Sequence, residues 1–328
     1  MWPFDRKKKR RERLLSQWGQ RKVHRENQFY ANRLYELREE TGGLDDQTAT
    51  DLDFSRLFSF LDRTSSIVGR QVLYDRLLRN QQTTADRDRL ERAIAYYEQH
   101  DVYPALSALD RLEDGRDYLY PGILYGELPQ PSRFRGAIRA IQLLSFACLL
   151  FGLQYPVLYV AFIPLLAVNL FIHYRVKQQM GGFVQVFLRL RELCNVGKRL
   201  LKVSHHSPAE KATLGRQLAR FKRYLRKLDF LQFDQKMARV EGVNVGAYFL
   251  EVFKFATLID VVVYYAILDN LPDMREAVEG IYYAVGEVDV ALSVLALRGS
   301  LAYFTKPDLT GVHRLKTTQL YHPLLENP

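Results

Sequence analysis

The stretch from Ala140 to Ile172 spans 33 residues without a single Asp, Glu, Lys, Arg or His, in a chain where charged residues make up 26%. A continuous helix of this length would measure roughly 50 Å, whereas the hydrocarbon core of a membrane is only ~30 Å thick. Gly152 and Pro156 interrupt the stretch near its centre. The sequence therefore predicts two apolar helices joined by a turn at residues 152–156.

Basic residues flank this pair of helices at both outer ends. Arg133, Arg135 and Arg139 precede it, and Arg175 and Lys177 follow it. The turn carries no charge, so the positive-inside rule places both flanks in the cytoplasm. We predict a two-helix transmembrane hairpin over residues 137–175, in the bacterial cytoplasmic membrane, with the soluble parts of the chain in the cytoplasm.

Two other interpretations of this stretch stay open. Each half has about 16 apolar residues, or roughly 24 Å of helix, just below the usual spanning length. Pro164 lies inside the second half, where proline kinks a helix. A pair of core helices in a large soluble α-protein, or a short re-entrant or interfacial hairpin, would show the same pattern.

The composition outside the stretch indicates a helical, basic protein. Long runs of the 328 residues lack Gly and Pro, which favours a mainly α fold. The formal net charge of +10 suits an anionic partner, either nucleic acid or the cytoplasmic membrane leaflet, and charge alone does not choose between them. The two cysteines, Cys148 and Cys194, have no metal-site spacing, and no metal site is predicted.

Residues 1–45 predict a basic N-terminal helical segment followed by a linker. Six consecutive cations open it: Arg6, Lys7, Lys8, Lys9, Arg10 and Arg11. Near an anionic membrane each would contribute roughly 1 kcal/mol to binding. A solvated terminus explains the run equally well.

A second basic stripe lies in the C-terminal half of the chain. Four cations recur at helical intervals: Arg216, Arg220, Arg223 and Lys227. An apolar seam lies on another face of the same predicted helix, formed by Leu214, Leu218, Phe221, Leu225 and Leu228. The seam is expected to pack inward and the stripe to face outward, either towards water or towards phosphates or lipid headgroups.

Two further helices are predicted beyond the hairpin. One runs from Phe183 to Lys202. The other, Tyr248 to Leu268, is apolar but contains Glu251, Lys254 and Asp260, each costing roughly 2.5–3.5 kcal/mol at a bilayer centre. We therefore predict that it is a long buried helix of the soluble part.

Four short motifs form two groups that lie more than 200 residues apart in the sequence. Residues 61–64 read LDRT and residues 66–73 read SIVGRQVL. Thr64, Ser65 or Ser66 can cap a helix here, and Gly69 allows a close backbone approach. Residues 285–293 read VGEVDVALS, and residues 321–326 read YHPLLE.

These motifs, in this order, resemble the core and lever domain of MutS-family DNA mismatch repair proteins. The first pair resembles the opening of the family's core domain, the third its Glu-x-Asp-x-x-x-Ser helix, and the last its link into the ATPase domain. The residues that carry the resemblance in this chain are Asp62, Thr64, Gly69, Leu73, Glu287, Asp289, Ser293, His322 and Pro323. Their roles in the family are structural.

The resemblance implies an elongated helical core split by the hairpin. Its first half would be residues 51–132 and its second half residues 180–308, with residues 309–328 as a junction towards an ATPase domain. The family binds ATP and Mg²⁺ in that domain, through a phosphate-cradling G-x-x-x-x-G-K-[ST] loop. No such string occurs in this sequence. We therefore expect no catalysis, no ATP and no Mg²⁺ in this chain, and interpret it as a truncated relative of the family.

The function expected from the sequence is non-enzymatic. The chain would be the membrane-anchored core and lever portion of a MutS-related ATPase, coupling nucleotide state to DNA or partner binding, with dimerisation through the missing ATPase domain. The alternative is a helical membrane scaffold whose basic faces bind anionic lipid, with no role in DNA binding.

Overall fold

The protein is described here by a computed structural model, which covers residues 3–20, 30–38, 43–79, 83–112, 120–126, 133–203, 205–237, 245–307 and 316–321. These residues are mainly helical and contain no strand. The predicted mainly α fold class is confirmed at this level.

Fourteen α-helices account for most of the described chain. In chain order they are α1 (Pro3–Gln17), α2 (Arg33–Leu37), α3 (Asp46–Asp51), α4 (Phe54–Leu61), α5 (Ile67–Arg79), α6 (Thr84–Gln99), α7 (Tyr103–Leu109), α8 (Tyr120–Tyr125), α9 (Arg135–Phe151), α10 (Val157–Val203), α11 (Pro208–Met237), α12 (Val245–Thr257), α13 (Ile259–Leu268) and α14 (Leu271–Ser300). A short 3-10 turn, Asp110–Leu112, follows α7.

The chain divides into two units. Unit 1 comprises residues 1–118, 199–209 and 283–328, and unit 2 comprises residues 119–198 and 210–282. The helices α1 to α7 belong to unit 1, and α8, α9, α12 and α13 belong to unit 2. The long helices α10 and α14 contribute residues to both.

Side chains that satisfy the first backbone N–H groups fix several helix starts in unit 1. The Ser66 hydroxyl accepts a 3.0 Å hydrogen bond from the Gly69 amide at the start of α5. Thr83 and Asp86 form a reciprocal capping box at the start of α6. These local signals explain why the two helices begin where they do.

Each unit has its own apolar core. In unit 1, Val68 and Val72 of α5 are buried together with Val288 and Leu292 of α14. In unit 2, Tyr264 of α13 and Ile281 of α14 are fully buried. Of the seam residues of α11, Leu214, Leu218 and Phe221 are buried and Leu225 is half-buried. The inward packing predicted for that seam is confirmed at the three buried residues, while the side chain of Leu228 lies outside the described part of the chain.

Two predicted helix boundaries are wrong. The helix expected to begin at Phe183 is part of α10, which runs without interruption from Val157 to Val203. Gly181 and Gly182 lie within it, although glycine is a weak helix former. The single helix predicted over Tyr248–Leu268 is broken at Leu258, which has left-handed backbone angles of φ 51° and ψ 24°.

Candidate functional site

The hairpin exposes most of its apolar side chains. The helix α9 ends at Phe151, the Gly152 amide bonds to the Cys148 carbonyl at 2.9 Å, and α10 begins at Val157. Leu150, Leu153 and Val160 are 66%, 80% and 67% exposed. Burying an apolar side chain of this size is favourable by roughly 1.5–3 kcal/mol, so a surface of this kind marks an interaction site.

Two described helices are long and apolar enough to cross a membrane, but they differ in burial. In Val157–Gln178, only 11% of the apolar stretch is buried within the protein, whereas in Leu271–Ser300 the fraction is 61%. The second is therefore a core helix of the fold. The first, the hairpin part of α10, has an open apolar surface.

A polar contact lies inside the hairpin. The Asn169 side-chain amide of α10 donates 2.8 Å hydrogen bonds to the Ser145 hydroxyl of α9 and to the Ala256 carbonyl of α12. Asn169 and Ser145 are fully buried. This contact was not predicted from the sequence. Asn169 was the available signal, because a polar side chain in an apolar run is costly unless it finds a partner.

The Asp289 carboxylate ties the two motif segments of unit 1 together. It accepts hydrogen bonds from the Ser65 and Ser66 amides, both at 2.8 Å, and from the Ser66 hydroxyl at 2.6 Å. Asp289 is fully buried on α14, and its contacts lie at the N-terminal end of α5. A negative charge there is stabilised by the helix dipole and by charge-assisted hydrogen bonds.

A second buried carboxylate completes this cluster. Asp62 accepts hydrogen bonds from the Thr64 amide and hydroxyl, at 2.9 and 2.6 Å, and forms an ion pair with Arg70 at 2.9 Å. The Ser293 hydroxyl of α14 accepts a 2.9 Å bond from the Arg63 amide. We call this cluster of Asp62, Thr64, Ser66, Gly69, Asp289 and Ser293 the polar joint.

The structure thus brings together five of the nine residues predicted from the family motifs. Leu73 is buried on the same helix as Gly69, and Glu287 lies beside the joint, 3.4 Å from Arg76. His322 and Pro323 lie outside the described residues. Every polar group of the joint named above has a protein partner, which is typical of a structural connection rather than of a reactive centre.

The N-terminal basic run is partly engaged within unit 1. Arg10 forms a 2.5 Å ion pair with Asp110, and Arg11 lies 3.1 Å from Asp101. Lys8 and Lys9 are exposed on α1. The side chains of Arg6 and Lys7 lie outside the described part of the chain. Arg11 is exposed as well, so among the described cations of this run the two lysines are the exposed ones for which no ion pair is described.

The basic stripe of α11 is also only partly engaged in ion pairs. Arg220 forms ion pairs with Asp273 and Glu276 of α14, and its guanidinium is the main cause of a lowered pKa of both carboxyl groups. Arg216 and Arg223 are exposed, and Lys227 is half-buried beside the Tyr224 ring. The stripe is therefore an outward face with one cation held by carboxylates.

None of the known protein families, curated proteins or solved structures compared with this chain matches it. The relation to the MutS family stays a prediction. Within the described residues, no group of three or more His, Cys, Asp and Glu side chains is arranged to hold a metal ion. The two features available to an argument about function are the exposed apolar hairpin and the polar joint.

Proposed function

We propose that this chain is a membrane-anchored helical arm with no catalysis of its own. The hairpin inserts into the membrane, the bacterial cytoplasmic membrane being the expected one, and unit 1 lies in the cytoplasm. In the fuller proposal, the arm is the core and lever portion of a MutS-related ATPase and couples nucleotide state to DNA or partner binding. ATP, Mg²⁺ and dimerisation would then belong to an ATPase domain.

The observation that supports membrane insertion is the exposed apolar surface of the hairpin. Leu150 and Val160 are about two-thirds exposed, on the two helices that flank the turn. In water such a surface would drive aggregation, whereas hydrocarbon accommodates it without cost.

Extraction from membranes tests this part. The wild-type protein, expressed in cells, should stay in the membrane pellet at alkaline pH. Leu150→Lys together with Val160→Lys should release it, because each lysine costs a few kcal/mol in hydrocarbon. A matched double variant on an exposed helix of unit 1, Ala95→Lys with Glu98→Lys, should stay in the pellet. Release of the wild-type protein would contradict membrane insertion.

The polar joint supports the fuller proposal. Residues 62–69 and 289–293 are far apart in sequence, yet they meet in one buried, hydrogen-bonded cluster. These are the segments on which the resemblance to the family depends. A lever needs such a connection, because it must transmit a change of position without bending.

The affinity of the detergent-solubilised protein for duplex DNA, measured at several salt concentrations, tests the proposed role in DNA binding. A lever that contacts DNA should bind a duplex with an affinity that falls steeply between low and moderate salt, because phosphate contacts release counterions. No binding at low salt would contradict the DNA role.

A lipid scaffold is the second candidate, and the exposed Lys8 and Lys9 favour it. It predicts retention in the membrane and indifference to DNA. Enrichment of anionic lipid around the protein would support this candidate, and equal contact with neutral lipid would contradict it.

A further inference from the structure

We propose that α12 and α13 form a re-entrant helical pair that enters the membrane beside the hairpin and turns back at Leu258. The proposal rests on the membrane insertion proposed above. It assigns a lipid-contacting surface to this segment. The sequence had instead predicted a buried helix of the soluble part, because the segment contains Glu251, Lys254 and Asp260. The occupant of this surface is bilayer hydrocarbon.

Contacts with α10 give the direction of α12. Lys177, in the basic flank of the hairpin, pairs with Glu251 at 2.5 Å. Asn169 lies two turns further from that flank, roughly 12 Å along the helix, and bonds to the Ala256 carbonyl at 2.8 Å. The helix α12 therefore runs from the flank towards the middle of the hairpin.

Contacts of α13 show that the chain runs back towards the basic flanks after Leu258. Asp260 lies 2.9 Å from His173, which is one turn nearer the flank than Asn169. At the other end of α13, Asp269 forms an ion pair with Arg135 in the basic flank of α9. The chain thus enters to the depth of Asn169, reverses at Leu258 and leaves on the side from which it came.

Two backbone carbonyls beside the reversal accept hydrogen bonds from side chains. The Thr257 hydroxyl donates a 2.6 Å hydrogen bond to the Phe253 carbonyl, and Asn169 occupies the Ala256 carbonyl. Unpaired backbone groups in hydrocarbon cost several kcal/mol each, so non-helical backbone at membrane depth occurs only where protein surrounds it. Thr257 and Leu258 are fully buried, which meets that condition.

The outer face of α12 continues the apolar surface of the hairpin. Phe249, Val252 and Phe253 are 71%, 39% and 45% exposed. The Phe253 ring contacts the ring of Phe146 on α9, with centroids 6.5 Å apart. Lys254 points away from this face and is only 1% exposed. Lys254 and Asp260 are thus covered by protein, and the half-exposed Glu251 is paired with Lys177 in the basic flank, so the outward face beyond that flank is apolar.

Quenching of tryptophan fluorescence by brominated lipids tests the proposal. Trp2→Phe and Trp18→Phe give a protein without its two native tryptophans. Three variants of this protein each carry one new tryptophan. Phe253→Trp is the test, Leu144→Trp on the exposed middle of α9 is the hairpin reference, and Tyr303→Trp in unit 1 is the soluble reference. In reconstituted vesicles, we expect quenching of the first two and none of the third.

The outcomes separate this proposal from the one on which it rests. If Leu144→Trp is quenched and Phe253→Trp behaves like Tyr303→Trp, the re-entrant pair is overturned and the membrane hairpin stands. If Leu144→Trp is not quenched, both proposals fail.

A second measurement distinguishes a re-entrant from a spanning segment. In a variant with Cys148→Ser and Cys194→Ser, Asn270→Cys follows α13 and Arg216→Cys lies on the exposed face of α11. A membrane-impermeant maleimide should label both from the same side of sealed vesicles. Labelling of Asn270→Cys from the opposite side only would overturn the re-entrant path. Because it needs no aromatic substitution in α12, this test holds even if Phe253→Trp misfolds.

Discussion

Gly69 faces the carboxylate that connects the two motif segments of unit 1. A Cβ atom added at this position would lie 2.5 Å from the Asp289 Cβ atom. We expect Gly69→Ala to lower the free energy of unfolding by about 2–4 kcal/mol, because the extra methyl group overpacks the site and displaces the hydrogen bonds to Asp289. Urea unfolding of the detergent-solubilised protein measures this.

The matched control for that variant is Gly215→Ala. A Cβ atom at Gly215 would meet nothing within 4 Å, and the residue lies inside α11. Alanine should stabilise the helix there by roughly 0.5–1 kcal/mol. An equal loss in both variants would mean that the close approach to Asp289 is not the cause.

The ion pairs of Glu91 predict a pH dependence of stability. Arg298 chiefly, and then Lys306, hold the pKa of the Glu91 carboxyl group at about 2, below its usual 4.5. Because the folded-state pKa is lowered, the stabilisation is present above pH 4.5 and is lost as the pH falls towards 2. It is on the order of 1–2 kcal/mol, after allowance for partial exposure to solvent.

Glu91→Gln tests this dependence, with Glu98→Gln on the exposed side of α6 as its control. Glu91→Gln should be less stable than the wild-type protein at pH 7, and the difference should shrink by pH 3. A difference that stays constant over this range would contradict the assignment to Glu91.

At the scale of the element, Asn169 joins three helices of unit 2. Asn169→Ala removes its hydrogen bonds to Ser145 and Ala256. We expect a loss of about 1–2 kcal/mol in stability, seen as a lower midpoint of thermal unfolding in detergent. Asn270→Ala removes a 2.8 Å bond between an exposed Asn side chain and the Ala266 carbonyl, and should cost less. Equal shifts in the two midpoints would argue against a connecting role for Asn169.

Local chemistry predicts the turn of the hairpin. It does not predict that α10 continues beyond the hairpin, or that the chain breaks after α12. Gly152 and Pro156 predict the turn because both residues disfavour a continuing helix. Gly181 and Gly182 are equally poor helix formers, yet α10 continues through them. The break at Leu258 has no local signal, because leucine rarely adopts left-handed angles, and tertiary contacts such as that of Asn169 with Ala256 hold the chain there.

For the polar joint, the sequence indicated the residues but not their contacts. Ser66 and Gly69 are readable as a helix start and a close approach. That Asp289 is the group approached depends on folding across 223 residues. No periodicity or local propensity contains that information.

At the scale of the whole molecule, the lipid-scaffold proposal predicts a preference for anionic lipid. Lys8 and Lys9 are exposed, so Lys8→Glu with Lys9→Glu should reduce the enrichment of anionic lipid around the reconstituted protein by at least about half. Energy transfer from the protein to fluorescent phosphatidylglycerol, compared with fluorescent phosphatidylcholine, measures this enrichment.

Arg216→Glu with Arg223→Glu makes the same change in charge on the exposed face of α11. If that face is only solvated, this variant should keep the enrichment of the wild-type protein. A loss in this variant alone would assign lipid binding to the α11 stripe instead.

The polar joint also constrains the order of events during biosynthesis. Asp289 leaves the ribosome 223 residues after Ser66, which is roughly 10–45 s later at common rates of translation. The hairpin emerges between the two. The first helices of unit 1 are therefore made, and the hairpin is available for insertion, before the carboxylate that closes the joint exists. Under the proposed membrane insertion, the hairpin can therefore enter the membrane before the joint closes.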